Sequence, residues 1–170
     1  MMNIQNGALG RRIRIGLVGG GGAGFIGKVH AVASTLDGRA EIVAGALSSK
    51  PDVARASGIA MGIATERAYT SFDEMITGER QLTGTEPIDM IIIATPNHTH
   101  FPFASAAIRN GFHVVCDKPL TTNSNDAQKL ADEVRASGRV LGLTHNYSGY
   151  PLVRQARAMV QNGELGQIIA

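Results

Sequence analysis

Residues 13–30 read IRIGLVGGGGAGFIGKVH, an alternating apolar run that ends in a cluster of glycines and reopens as a helix-compatible segment. Ile13, Ile15 and Leu17 repeat with the two-residue period of a strand. A strand that feeds a helix through so short a link belongs to a βα unit, and βα units build parallel sheets. Within the cluster, Gly22, Gly24 and Gly27 fit the spacing G-x-G-x-x-G. In that pattern one glycine makes the turn, one lets backbone approach a pyrophosphate, and one lets the helix pack closely on the strand. Free N–H groups and the positive end of the helix, which opens at about Ile26, would hold the phosphates. With 21 glycines in 170 residues, a loop that is merely flexible is the competing reading, and the downstream loops decide between them.

The strand, loop, helix order repeats along the chain. A first strand is expected at 12–18. A helix over 26–36 follows, with Ile26, Val29, Ala33 and Leu36 on its inner face, and Asp37-Gly38 stops it. Residues 41–47 form a nearly continuous apolar run of the kind buried on both faces of a parallel sheet. Pro51 suits the first position of a short helix over 52–57 that Gly58 ends. Ser71 with Glu74 three residues on makes a capping box for a helix over 72–81, and 78–87 (GERQLTGTEP) reads as an exposed loop. The run 88–94 is too apolar for a one-sided sheet and belongs at its centre. Helices over 101–109 and 125–136 alternate with strands over 113–116 and 140–144. Ala127, Leu130, Ala131 and Val134 face inward on the longer helix. The fold expected is α/β, a doubly wound parallel sheet of Rossmann type spanning 11–144, after a loose terminus at 1–10. Residues 145–170 read as a linker helix (151–162, capped by Gly163) and the first strand (166–170) of a second α/β domain, so the chain is expected to be the front part of a longer protein.

A formal charge of +2, scattered without a basic run, argues against nucleic acid or an anionic membrane as partner. No apolar run approaches the ~20 residues of a membrane span, and the N-terminus lacks a signal-peptide core, so a cytoplasmic protein is expected. One cysteine, Cys116 in the run HVVC, excludes an intrachain disulfide and reads as a small buried hydrophobe.

Ligands of open α/β sheets lie beyond the carboxyl ends of the strands. Four loops leave those ends: the glycine loop, Ser48-Ser49-Lys50, Thr95-Pro96-Asn97-His98-Thr99-His100 and Asp117-Lys118-Pro119. They are expected to converge on one crevice. An acid after the second strand would bind the ribose hydroxyls of NAD, but 47–50 contains none. Ser48, Ser49 and Lys50 suit a 2′-phosphate, which favours NADP over NAD, unless the serines only cap the next turn. Lys118, held at a strand end near a nicotinamide with its pKa lowered by desolvation or cationic neighbours, can give and take the proton of a substrate hydroxyl. Asp117 beside it either acts the other way, holding Lys118 charged, or caps the following segment; an ordinary surface lysine is the alternative. A cis Lys118–Pro119 bond would fix the lysine's direction, although trans is the rule for X–Pro bonds. His98 and His100 lack the further ligands a metal site needs, so no metal is expected. His30 reads as a packed core histidine. His145, Asn146, Tyr147 and Tyr150 either face a substrate or pack a hinge.

Together, GxGxxGxxH at Gly22–His30, Thr95-Pro96-Asn97-x-x-His100, Asp117-Lys118-Pro119-Leu120 and Gly163-Glu164-Leu165-Gly166 resemble the Gfo/Idh/MocA oxidoreductase family, in order and spacing from about Arg12 to the chain's end. The resemblance implies an N-terminal Rossmann domain, a C-terminal α/β domain, and NAD(P)-linked oxidation or reduction of sugars, inositols and related polyols. It implies that Gly22, Gly24 and Gly27, with Ile26, hold the pyrophosphate, and that Thr95, Pro96, Asn97 and His100 border the riboses. Lys118 would be the proton-transfer group beside the nicotinamide, with Asp117 in place of the usual glutamate. A homo-oligomer formed through the C-terminal sheet is expected, and so is the absence of the family's C-terminal Asp and His from this chain. A non-catalytic dinucleotide-binding regulator of the same family is the alternative function.

Overall fold

The alternation read in the first strand is realised in β1 (Ile13–Gly19) of a computed structural model that describes residues 9–84 and 86–169. Ile15 and Leu17 turn to one face of the sheet, and Val18 to the other. β2 (Ala40–Ala46), β3 (Met90–Ala94), β4 (His113–Cys116) and β5 (Leu141–Leu143) join it in a parallel sheet of order β2-β1-β3-β4-β5. Beyond β2 a single parallel bridge, Gly45 to Ala68, stands where a sixth strand would lie; the Tyr69 N–H donates to the Gly45 carbonyl at 2.8 Å. The chain runs outward from β1 to this edge, then returns across it to β3. The strand order therefore reverses between β1 and β3.

Helices α1 (Phe25–Thr35) and α2 (Pro51–Ala60) lie on one face, where Ile15, Leu17, Leu47, Ile63 and Ile92 form the core. On the other face α3 (Phe72–Gln81), α4 (His100–Arg109) and α5 (Ser124–Ser137) enclose Met75, Ile91, Ile93, Ile108 and Leu130. Burying both faces explains the nearly continuous apolar runs of β2 and β3.

Several expectations are corrected by packing. On α1, Ala33, Val29 (42% exposed) and Leu36 (82% exposed) face solvent, while Ile26, Gly27 and Ala31 turn to the sheet. The close contact of Gly27 with the glycine loop sets the helix's rotation and overrides the apolar spacing. α2 runs through Gly58 rather than stopping there, because the missing side chain lets the helix press on Ala68; a Cβ at Gly58 would lie 2.8 Å from that of Ala68. The Ser71 cap forms as expected, its Oγ accepting from the Glu74 N–H at 3.1 Å. The helix expected over 72–81 forms with those bounds as α3, so the exposed loop expected from 78 starts only after Gln81, and Glu79 is fully buried.

After β5, α6 (Pro151–Gln161) leaves Leu152, Val153 and Val160 exposed. Residues 166–169, expected to start a strand, pair with none, and Ala170 lies outside the described residues. The loose terminus expected at 1–10 likewise falls, for 1–8, outside them. No helix among the described residues is long and apolar enough to cross a membrane.

Candidate functional site

The reversal of strand order opens a crevice where β1 and β3 end side by side, Gly19 opposite Ala94. A Cβ on Gly20 would lie 2.4 Å from the Gly27 Cα, and one on Gly27 2.5 Å from the Gly20 Cα, so the loop and α1 meet backbone to backbone. Gly20, not singled out from the sequence, thus takes the place of the first glycine. It and Gly27 are seven residues apart, against five for the outer glycines of G-x-G-x-x-G. No G-x-G-x-x-G spacing starts at Gly20, since the sixth position is Phe25, so the motif could not have found it. Gly24 caps α1 without a side-chain hydrogen bond. Gly22 stands in the longer part of the loop, its N–H donating to Ser57 Oγ at 3.0 Å.

A cleft of about 570 Å³ runs across this edge between Gly19, Gly20, Ser48 and Ser49 on one side and Thr95, Pro96, His98 and Thr99 on the other. Phe72, stacked on Phe103 at 4.3 Å, lines it, and so does Asp73, an acid that reaches the cleft from α3 and escapes a search confined to the loop after β2. Ser48 Oγ accepts from the Lys50 N–H at 3.1 Å, the turn cap weighed against a phosphate contact. Lys50 is exposed and does not line the cleft; nor do Asn97, at the start of a single 3₁₀ turn, and Ile26, which packs in the core.

Lys118 opens elsewhere. Exposed, it lines a second cleft of about 320 Å³ with His145, Asn146, Tyr147 and Ser148. The four loops therefore do not converge on one crevice: besides these two clefts, Gly20, Gly21 and Gly22 line another of about 500 Å³ with Lys28 and Ser57. The Lys118–Pro119 bond is cis. Asp117 is held from both sides: its N–H donates to the Ile93 carbonyl at 3.0 Å, and its Oδ1 accepts from Thr144 Oγ1 at 2.9 Å. Buried His100 ties the loops together, with Nδ1 2.6 Å from the Pro119 carbonyl and Nε2 2.8 Å from that of Thr95. Both its nitrogens are thus engaged by the backbone. Tyr150 packs edge-on against Tyr147.

The model of an oxidoreductase family with an NAD-binding Rossmann fold matches residues 13–145, nearly the whole of this architecture. The chain belongs to the Gfo/Idh/MocA family. Among solved structures, an inositol dehydrogenase homolog from Azotobacter vinelandii, complexed with NADH and myo-inositol, is 38% identical with a TM-score of 0.88, over 93% of this chain and 41% of that one. An oxidoreductase from Sinorhizobium meliloti is 49% identical with a TM-score of 0.83, over 92% and 43%. The uncharacterized oxidoreductase YfiI of Bacillus subtilis is 31% identical over 161 residues, 94% of this chain and 40% of its own length. The chain spans about 40% of the length of these relatives.

The residues of this Gfo/Idh/MocA chain fit a dinucleotide. A Cβ at Gly20 or Gly27 would fill the cradle, and no side chain of the N-cap occupies the first-turn N–H groups of α1. His30 lies half-buried on α1, and burial lowers its pKa against the opposing charge of Asp117; Nε2 has no hydrogen-bond partner among the described residues. Cys116 is buried below the same loop, its thiol pushed up to about 12 by burial and by the charge of Asp117.

Proposed function

We propose that the protein is the nicotinamide-dinucleotide-binding part of an NAD(P)-dependent oxidoreductase acting on a sugar, inositol or related polyol. The observation that carries this reading is the glycine cradle and the Thr95 turn at the switch point, joined through His100 to the loop that presents Lys118. Gly20, Gly24, Gly27 and the first turn of α1 would hold the pyrophosphate, Ser48 and Ser49 the adenosine ribose, and Thr95 and Pro96 the nicotinamide half. The bound nicotinamide supplies hydride exchange with a substrate carbon. Lys118 Nζ takes the substrate's hydroxyl proton on oxidation and returns it on reduction. His145, Asn146, Tyr147 and Ser148, which share the Lys118 cleft, offer the donors and acceptors a polyol requires. The Azotobacter relative, complexed with myo-inositol, supports that substrate class.

Of the two coenzymes we favour NAD over the NADP expected from Ser48, Ser49 and Lys50. Ser48 Oγ is engaged by its own turn, and the carboxylate of Asp73 on the same cleft opposes a 2′-phosphate. Calorimetric titration with NAD and NADP at one salt concentration decides between them, and tighter binding of NADP would reverse this preference. The activity is tested with Lys118→Ala in the whole protein. Turnover should fall by at least ~100-fold while coenzyme affinity is kept. Unchanged turnover in Lys118→Ala would remove Lys118 from the chemistry, and no turnover of any polyol by the unaltered protein would assign the chain to dinucleotide-dependent regulation instead.

A further inference from the structure

The glycine loop is longer than the common pattern and is tied down away from the crevice. Six of the nine residues 19–27 are glycine, the residue type that loses most conformational freedom when ordered. Such a loop, left free, would weaken phosphate binding by the full entropy of fixing it. Two hydrogen bonds fix it beforehand: the Gly21 N–H donates to the Leu47 carbonyl at 2.8 Å, and the Gly22 N–H donates to Ser57 Oγ at 3.0 Å. The approach is close. A Cβ at Gly21 would lie 2.6 Å from the Leu47 carbonyl oxygen and 2.9 Å from Ser57 Oγ.

The first tie is backbone to backbone, so Ser57 is the side chain on which the second depends. Resting on the dinucleotide reading above, we propose that Ser57 is a positioning residue for the pyrophosphate. Standing on α2, where it lines a cleft of about 500 Å³ with Gly20, Gly21 and Gly22, it acts through the Gly22 amide, holding the two extra loop residues against β2 and α2. The N–H groups of the loop and of the first turn of α1 are then set before the ligand arrives. Gly22, in this arrangement, spends its N–H on Ser57 rather than on a phosphate.

Titration of the 170-residue chain with NAD, ADP-ribose and adenosine, compared with Ser57→Ala and Ser57→Thr, tests the proposal. Ser57→Ala removes one hydrogen bond. It should weaken NAD and ADP-ribose alike by about five-fold and leave adenosine, which has no phosphate, unchanged. Ser57→Thr, which keeps the acceptor, should restore both to within about two-fold. NAD affinity unchanged in Ser57→Ala overturns the proposal while the dinucleotide reading stands. A parallel loss of adenosine affinity overturns it too, because the defect would then be a general one of the fold. No NAD binding by the unaltered chain overturns the dinucleotide reading, and the proposal with it.

Discussion

His100 Nδ1 lies 2.6 Å from the carbonyl oxygen of Pro119, so a side chain that opens α4 is the brace of the turn that carries Lys118. Its other nitrogen braces Thr95, at the end of β3. Replacing His100 by Ala leaves a cavity and removes the ring that spans the Thr95 and Pro119 carbonyls. We expect a loss of about 2–4 kcal/mol, read as a lowered urea midpoint. A midpoint equal to that of the unaltered chain would show that the loops hold their places without the ring.

Gly27→Ala places a methyl group 2.5 Å from the Gly20 Cα, with backbone rather than a flexible side chain to yield. We expect destabilisation of roughly 1–3 kcal/mol from the forced separation of helix and strand. NAD affinity should fall beyond detection in calorimetry. Normal NAD binding by the Gly27→Ala variant would mean that the contact between loop and α1 is not part of the cradle.

The buried carboxylate of Glu79 accepts from Arg67 Nε at 2.9 Å and Nη2 at 2.5 Å, from the Tyr69 hydroxyl at 3.0 Å and from the Ile88 N–H at 3.1 Å. Removing one partner of such a pair strands the other charge. Glu79→Ala should cost about 3–5 kcal/mol, and Glu79→Gln, which keeps a polar oxygen in place, should cost less. Denaturant titration of the two variants gives the order. Burial and the charge of Glu79 also push the Tyr69 phenol up to about 12. The folded state then holds the phenolic proton where the unfolded chain releases it, so stability should fall as pH rises from about 10 towards 12.

Asp89 gives the opposite sign. Its two hydrogen bonds from Arg11, at 2.6 and 2.7 Å, and one from the Arg14 N–H at 2.8 Å hold its carboxyl below the usual carboxylate range, against the opposing effect of burial. Below the ordinary value near 4 the unfolded chain takes up the proton first, so this stability is lost as pH falls further. Asp89→Asn should flatten the acid limb of a plot of Tm against pH between about 4 and 2. An unchanged acid limb would place the responsible carboxylates elsewhere.

Most of this architecture is legible in the sequence because a doubly wound sheet writes itself as apolar runs separated by turn chemistry. Leu130 at the inner face of α5, the Ser71 cap and the central place of β3 all follow from local pattern. What escapes is what depends on contact between distant segments. The face of α1 is chosen by Gly20 against Gly27, and Glu79 is buried because Arg67, Tyr69 and Ile88 meet it from other segments. Asp73 and Ser57 reach the site region from helices that lie away from the strand ends in sequence. Gly22 matches the motif while Gly20 makes the contact, because the loop carries two additional residues beyond the motif's spacing.

The two rims of the sheet differ: β5 has three residues, while β2 has seven and is met only near its end, by the lone bridge from Ala68 to Gly45. A long flat rim offers a ladder of unpaired N–H and C=O groups on which a foreign strand can zip. Here the β5 rim offers only a short landing. At the β2 rim the returning chain takes up the Gly45 carbonyl before a visitor can. Any strand addition at high concentration should therefore favour the stretch of β2 before Gly45 over β5.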